Sequence, residues 1–281
     1  GDAGGALGVA TFIWHQLLGN SRTPQPLDSQ HGTALGPAAT DKEIETFLTS
    51  VGATYQHFAD EDELCESIAG HIENEKVIGW MQGRMEFGPR ALGGRSILGD
   101  ARSTKMQSVM NLKIKFRESF RPFAPSILQE RVDEYFEMRP NEPSPYMLLV
   151  APVKQEKRTS HNNEEQRLEG LDKLKETRSD VPAITHVDYS ARVQTVDPQR
   201  HGRYYKLLKK FEEKTGSPVV INTSFNVRGE PIVCTPEHAY RCFMATNMDV
   251  LVIEDFVLLK DKQPNAQQHE ADEYLAQFQL D

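Results

Sequence analysis

Apolar residues along this 281-residue chain recur at two spacings, and the changes between them mark out its elements. Ala10, Phe12, Ile13, Leu17 and Leu18 follow a glycine-rich opening, GDAGGALGVA, at helical spacing, and a polar, proline-containing stretch over residues 19–40 reads as a linker. Asp41 is placed to cap a helix that carries Ile44, Phe47 and Leu48 on one face, and Leu64, Ile68 and Ile72 predict a second helix over residues 60–75. Residues 77–82 form a short strand pattern that runs into a loop rich in glycine and arginine. Ser103 is placed to cap a helix bearing Met106, Val109 and Met110, and residues 124–128 and 146–153 have strand character.

Residues 154–181 are charged and lack apolar periodicity, so they read either as an insertion or lid or as a plain solvated loop. Strict alternation returns in HVDYSARVQTV. His186, Asp188, Ser190, Arg192 and Gln194 fall on one face of that strand, Val187, Tyr189, Ala191 and Val193 on the other. A helix with Tyr204, Leu207, Leu208 and Phe211 follows, then an apolar strand over 219–222. Thr235 and Pro236 open a further helix, whose capping box is incomplete because His238 stands at its third position. Residues 250–253 and 256–259 predict two last strands, and residues 263 onward a polar tail. Strands and helices in mixed order indicate an α+β or mixed α/β domain.

Composition is that of a globular chain, and no apolar run approaches the roughly 20 residues of a membrane span. The three cysteines, Cys65, Cys234 and Cys242, are odd in number and never spaced as CxxC, so a reducing, cytoplasmic setting is expected. Net charge is −9, which argues against a nucleic-acid or membrane partner, yet residues 84–121 hold nine basic and three acidic groups. That island of +6 leaves −15 for the rest of the chain and suits a small phosphate-bearing ligand.

Four runs carry candidate chemistry. In residues 83–102, four arginines alternate with five glycines, a pattern that offers planar forks and exposed backbone N–H groups to phosphate, or else forms a solvated basic turn. In residues 111–128, Lys113, Lys115, Arg117 and Arg121 lie among Phe116, Phe120 and Phe123, as a nucleotide platform or a core edge with its charges outward. Residues 219–239 end a buried strand in Asn222, Thr223 and Ser224 and add Arg228. Arg192 is either a further cation reaching the same ligand or part of a half-exposed strand face. The chain contains no P-loop, no GxGxxG, no HExxH and no GxSxG, and no nucleophile–base pair stands out. Positioning and charge neutralisation are therefore the expected chemistry.

The runs GRMEFGPRALGGRSIL, NLKIKFRESFRPFAPSIL, HVDYSARVQTV and NTSFNVRGEPIVCTPEHA occur in order between residues 77 and 260 and resemble the C-terminal domain of the carbamoyltransferase family, which acts on antibiotics and nodulation factors. The resemblance implies a YrdC-like α+β domain with a central mixed sheet over residues 41–262. Residues 1–40 would then be a linker plus a remnant of an actin/sugar-kinase-like ATPase domain, and 263–281 a tail. It implies that carbamoyl phosphate and ATP, with Mg2+, yield carbamoyl-adenylate, whose carbamoyl group passes to a hydroxyl of a small-molecule acceptor in the missing N-terminal domain. By resemblance Arg90, Arg121 and Arg192 are catalytic, and Arg95, Lys115, Arg117, Asn222, Ser224 and Arg228 contact substrate or ATP. Asp2 matches a ligand of a divalent metal, usually Fe2+, but its HxxxH partner motif is absent from this chain, so the metal site is expected to be incomplete here. Gly94 stands where the family more often has Asn, and Asp188-Tyr189-Ser190 where it has Asp-Gly-Thr. A threonylcarbamoyl-adenylate synthase acting in RNA modification and a non-catalytic nucleotide-binding module are the competing readings; a homodimer is left open.

Overall fold

The computed structural model describes residues 4–25, 28–159, 176–264, 274 and 276–278. In chain order the elements are α1 (Gly5–Phe12), α2 (Asp41–Ser50), β1 (Gln56–His57), α3 (Glu61–Glu73), β2 (Ile78–Met81), β3 (Arg95–Asp100), α4 (Met106–Lys113), β4 (Ala124–Leu128), α5 (Val132–Tyr135), β5 (Leu149–Pro152), β6 (Ser190–Val196), α6 (Pro198–Thr215), β7 (Val219–Ser224), α7 (Pro236–Ala245), β8 (Val250–Ile253) and β9 (Phe256–Leu259). The strands form one nine-stranded sheet in the order β1-β9-β8-β2-β3-β7-β4-β6-β5. Pairs β2–β8 and β4–β6 are parallel and the others antiparallel, so the expected mixed α/β architecture is what the chain adopts.

Apolar side chains bury both faces of the sheet. Val220, Leu98, Leu128 and Val196 join the stripes of α3 (Leu64, Ile68, Ile72) and α6 (Leu207, Leu208, Phe211) in one core. Val219, Ile221, Ile97, Ile127 and Val193 join residues of α2, α4 and α7 in the other. Adjacent residues of β7 thus point to opposite faces, as strand geometry demands. Each fully buried Leu, Ile or Val contributes about 1.5–3 kcal/mol of hydrophobic stabilisation.

Several local expectations shift by a residue or more. Thr40, not Asp41, caps α2: its hydroxyl accepts from Glu43 N (3.4 Å) while its own N–H donates to Glu43 Oε2 (2.8 Å), the reciprocal pattern that a Thr-x-x-Glu run provides. Ser103 does not cap α4, because Lys105 occupies that place and Ser103 Oγ accepts from Lys105 N. The alternating strand begins at Ser190 rather than His186, since residues 186–189 turn and Tyr189 takes a left-handed φ of 63°. Gln263, expected to open a polar tail, is 5% exposed and bridges both backbone groups of Thr54, and Tyr274 lies in the core.

Part of the expected linker is docked. Gly36 N donates to Met85 O (2.8 Å), Met85 N to Pro37 O (2.9 Å) and Phe87 N to Thr33 O (2.8 Å), which ties residues 33–37 to the glycine–arginine loop. The helix expected from Ala10 to Leu18 forms as α1 followed by a π-helical turn, Ile13–Leu17, but it buries no side chain among the described residues, and Phe12, Trp14, Leu17 and Leu18 are exposed. Among the described residues no helix is long and apolar enough to cross a membrane. The suggested insertion falls mainly on residues 160–175 and the metal-ligand expectation on Asp2, all outside the described residues.

Candidate active site

Strand register brings the four sequence runs to one end of the sheet. Ser224 at the end of β7 pairs with Ser96 near the start of β3, Asn222 with Ala124 at the start of β4, and Ser126 with Gln194 of β6. Because β7 runs against β3 and β4, and β6 runs with β4, the loops 82–95, 114–123, 186–189 and 225–235 all emerge at that end. Of these strands only β7 presents its carboxyl end there, the end at which α/β sheets commonly bind ligands; β3, β4 and β6 present their starts.

A buried polar floor lies beneath. Asn222 Nδ2 donates to Gln194 Oε1 (2.7 Å) and to Ala91 O (3.1 Å), Ser126 Oγ donates to Gln194 Oε1 (2.6 Å), and Gln194 Nε2 donates to Leu92 O (2.8 Å). Asn222 Oδ1 and Arg192 Nε are buried without a hydrogen-bond partner. A buried polar atom left unpaired costs about 1–3 kcal/mol, and a ligand at the strand ends would supply the missing partner for these two. Arg192 shares its sheet face with Gln194, and burial together with the charge of Arg90 lowers its pKa from the ordinary arginine value. Neither Arg90 nor Arg192 has a carboxylate partner among the described residues.

On the other side of β7 the second cationic group gathers. Lys115 is 3% exposed, and its Nζ donates to Asn226 O and Oδ1 (both 2.8 Å), to Ser224 O and more weakly to Ser224 Oγ (3.4 Å). Burial pulls its pKa down to about 7. Arg117 Nε donates to Asn111 Oδ1 (2.6 Å) and its guanidinium lies 5.0 Å over the Phe123 ring; burial, then the nearby charge of Arg121, brings Arg117 down to about 10. Glu118 joins Arg121 (3.0 Å) and, more distantly, Arg228 (3.7 Å). So Lys115, Ser224, Arg117, Arg121 and Arg228 converge, with Asn226 added.

Arg95 departs from expectation. It is fully buried, and its two terminal nitrogens donate to the carbonyls of Gln82, Gly83, Gly94, Pro37 and Cys234 at 2.9–3.4 Å. A guanidinium so enclosed braces the loop instead of facing a phosphate. The loop's N–H groups, expected to face a ligand, turn inward as well: Leu92, Gly94 and Arg95 donate to Glu86 Oε1 at 2.6–3.2 Å. Gly93 is required by the fold, since its φ is 111° and a Cβ there would stand 2.4 Å from the Tyr204 ring. At Gly94 a Cβ would meet Arg84 O at 3.0 Å and the Glu86 carboxyl at 3.1 Å, so the glycine fits this loop more easily than the asparagine usual in the resembled family.

Residues 69–260 match the family described as Carbamoyltransferase C-terminus. The chain belongs to that family. The carbamoyltransferase-family chain is 57% identical over its whole length to an uncharacterized protein, sll1178, of Synechocystis sp., spanning 45% of that protein. It is 37% identical to nodulation protein NolNO of Sinorhizobium fredii over 92% of this chain and 35% of that protein. The chain thus spans less than half the length of these curated relatives. Among solved structures, a doubly substituted variant of P. abyssi Sua5 aligns over 69% of this chain and 54% of its own, with 15% identity and a TM-score of 0.44.

The family runs therefore divide into residues that meet at the strand ends and residues that hold the meeting place. Glu86, Ser126, Gln194, Asn226 and Glu230 were not singled out by type or spacing. Glu86 carried a signal, an acid standing alone among the arginines and glycines of its loop. A second cleft of about 630 Å³ lies between this loop and the start of α6, lined in part by Gly83, Arg84, Gly94, Arg200 and Arg203; it takes in part of the glycine–arginine run but neither Arg90 nor Arg95 and no residue of the other three runs. Its main cations are already paired: Arg200 with Asp28 and Asp197, Arg203 with Asp255. Among the described residues no group of three or more His, Cys, Asp or Glu side chains is arranged to hold a metal.

Proposed function

We propose that the strand-end site binds carbamoyl phosphate and ATP and forms carbamoyl-adenylate for transfer to a hydroxyl of a small-molecule acceptor. The single observation that carries this reading is that Asn222 Nδ2 bonds Ala91 O and Gln194 Oε1, which brings its unpaired Oδ1 to the stretches that carry Arg90 and Arg192, two interacting cations with no carboxylate partner among the described residues. Two guanidinium groups held against their mutual repulsion are stabilised by a polyanion placed between them. Asn222 Oδ1 accepts, and a carbamoyl NH2 donates, so the polar floor suits that group as well as the cations suit its phosphate.

In balanced form, water releases inorganic phosphate from carbamoyl phosphate, and the carbamate oxygen left behind attacks the α-phosphorus of ATP as pyrophosphate departs. Arg90 and Arg192 neutralise the carbamoyl phosphate. Arg121 and Arg228, released from the exposed Glu118, meet the triphosphate and the charge that builds on the leaving pyrophosphate. Magnesium bound with the nucleotide would supply further shielding of its phosphates. Arg95 and Glu86 take no part in the chemistry and hold the loop that carries Arg90.

Exchange of labelled pyrophosphate into ATP, dependent on carbamoyl phosphate, tests the reading. Exchange that falls by about 10²-fold or more in Arg192→Ala is expected, the scale of losing a donor to a developing oxyanion. Exchange requiring threonine and bicarbonate instead would assign the domain to threonylcarbamoyl-adenylate synthesis. Nucleotide binding with no exchange under either condition would make it a binding module.

A further inference from the structure

We infer that Tyr274 is a positioning residue for Lys115 and Asn226, an assignment that rests on reading the strand-end site as the anion site. The residue lies far along the chain from every run that carries the family's motifs, in a segment whose sequence suggests only a polar tail. Yet it is 8% exposed and packs in the same core as Cys242 and Phe243 of α7. Its ring meets Phe278 edge-on at 5.2 Å and lies under the Arg241 guanidinium at 5.8 Å, so packing fixes where its hydroxyl points.

That hydroxyl donates to Glu230 Oε1 in a short hydrogen bond. Glu230 in turn holds the turn that follows β7: its Oε2 accepts from Val227 N (2.8 Å) and its backbone O from Asn226 Nδ2 (2.6 Å). With its amide N–H2 so anchored, Asn226 presents Oδ1 to Lys115 Nζ (2.8 Å) and to Ser224 Oγ (2.7 Å). The path from Tyr274 to Lys115 therefore runs through two residues, Glu230, whose carboxylate takes the phenol and whose backbone carbonyl holds the Asn226 amide, and Asn226 itself. The Glu230 charge also favours the ammonium form of Lys115 against the effect of burial and of Arg117. Arg228 stands inside the same turn, so a displaced Glu230 moves a ligand-facing cation along with the lysine.

Removing the hydroxyl alone separates positioning from packing. In Tyr274→Phe the carboxylate loses its donor and drifts from the turn, which withdraws negative charge from Lys115. The lysine's titration midpoint, followed by NMR of 15N-labelled lysine and assigned through Lys115→Arg, is expected to move down. Carbamoyl phosphate affinity by calorimetry is expected to weaken about 3- to 10-fold, a fraction of one charged hydrogen bond passed through the turn. Glu230→Gln, which keeps the side-chain shape and removes the charge, should move the midpoint further in the same direction. Leu208→Ala, in the core on the opposite face of the sheet, should lower the melting temperature and leave midpoint and affinity unchanged. A wild-type midpoint in Tyr274→Phe, or equal shifts in Leu208→Ala, would overturn the assignment. Should the wild-type chain fail to bind carbamoyl phosphate at all, the anion-site reading falls, and the Lys115 midpoint still decides whether Tyr274 governs that lysine.

Discussion

Arg90 and Arg95 stand in the same glycine-rich loop, five positions apart, and meet opposite surroundings. Arg95 is enclosed by five carbonyls, with its positive charge offset at a distance by Glu86 and Glu254. Arg90 faces another arginine and no carboxylate among the described residues. Across β7 the contrast repeats, since Lys115 is ringed by acceptors while Arg121 and Arg228 share one exposed glutamate. A cation whose terminal donors are taken up by buried carbonyls shapes a site, although Arg95 keeps its Nε unpaired, and one with at most an exposed carboxylate for a partner is available to a ligand. The cationic island is two populations, a frame and a binding surface.

The comparison predicts that frame and surface fail differently. The largest effect belongs to Arg95→Met, which takes the guanidinium donor from the carbonyls of Gln82, Gly83 and Cys234 while Pro37 O and Gly94 O keep backbone N–H partners, and should cost about 3–5 kcal/mol in chemical denaturation. Arg90→Ala should stay within about 0.5 kcal/mol of wild type in the same measurement. Comparable losses in the two variants would erase the distinction.

Lys115→Met should come next, costing about 2–3 kcal/mol through the oxygens left without a donor. Its pH dependence sharpens the point. Folded Lys115 releases its proton at about 7, whereas an unfolded lysine holds one to about 10.4. Between those values the unfolded state binds more protons, so stability climbs with pH over that window and is lost as pH falls through the folded midpoint. The climb should flatten in Lys115→Met, and anion affinity of the wild type should decline across the lower part of the same window. Glu118→Gln should give the smallest effect, no resolvable change in stability and binding of carbamoyl phosphate or ATP tightened by no more than about 3-fold, as Arg121 and Arg228 are freed from a solvent-screened pair.

Much of the scaffold was readable because apolar runs flanked by breakers have few ways to fold: β4, β8 and β9 fall where their patterns place them. The cap of α2 slipped by a residue because Thr40 and Asp41 are both able caps, and only the acid at Glu43 selects between them. Convergence of the arginine-bearing runs was legible from residue type. The frame was not, because an arginine in sequence does not reveal whether carbonyls or open space will surround it. Nor did alternation reveal the left-handed turn at Tyr189, whose ring lies under Arg158 at 4.9 Å. Tyr274 escaped notice because a lone aromatic in polar sequence has no periodicity to betray its burial.

Calorimetric titration of carbamoyl phosphate into the chain and into Arg90→Ala, Arg192→Ala and the double variant tests the central claim most directly. Two guanidinium groups that grip one anion should each cost about 10-fold or more when removed, with losses short of additive in the double variant because the interaction is shared. Wild-type affinity retained in both single variants would show that the two arginines do not form the anion site.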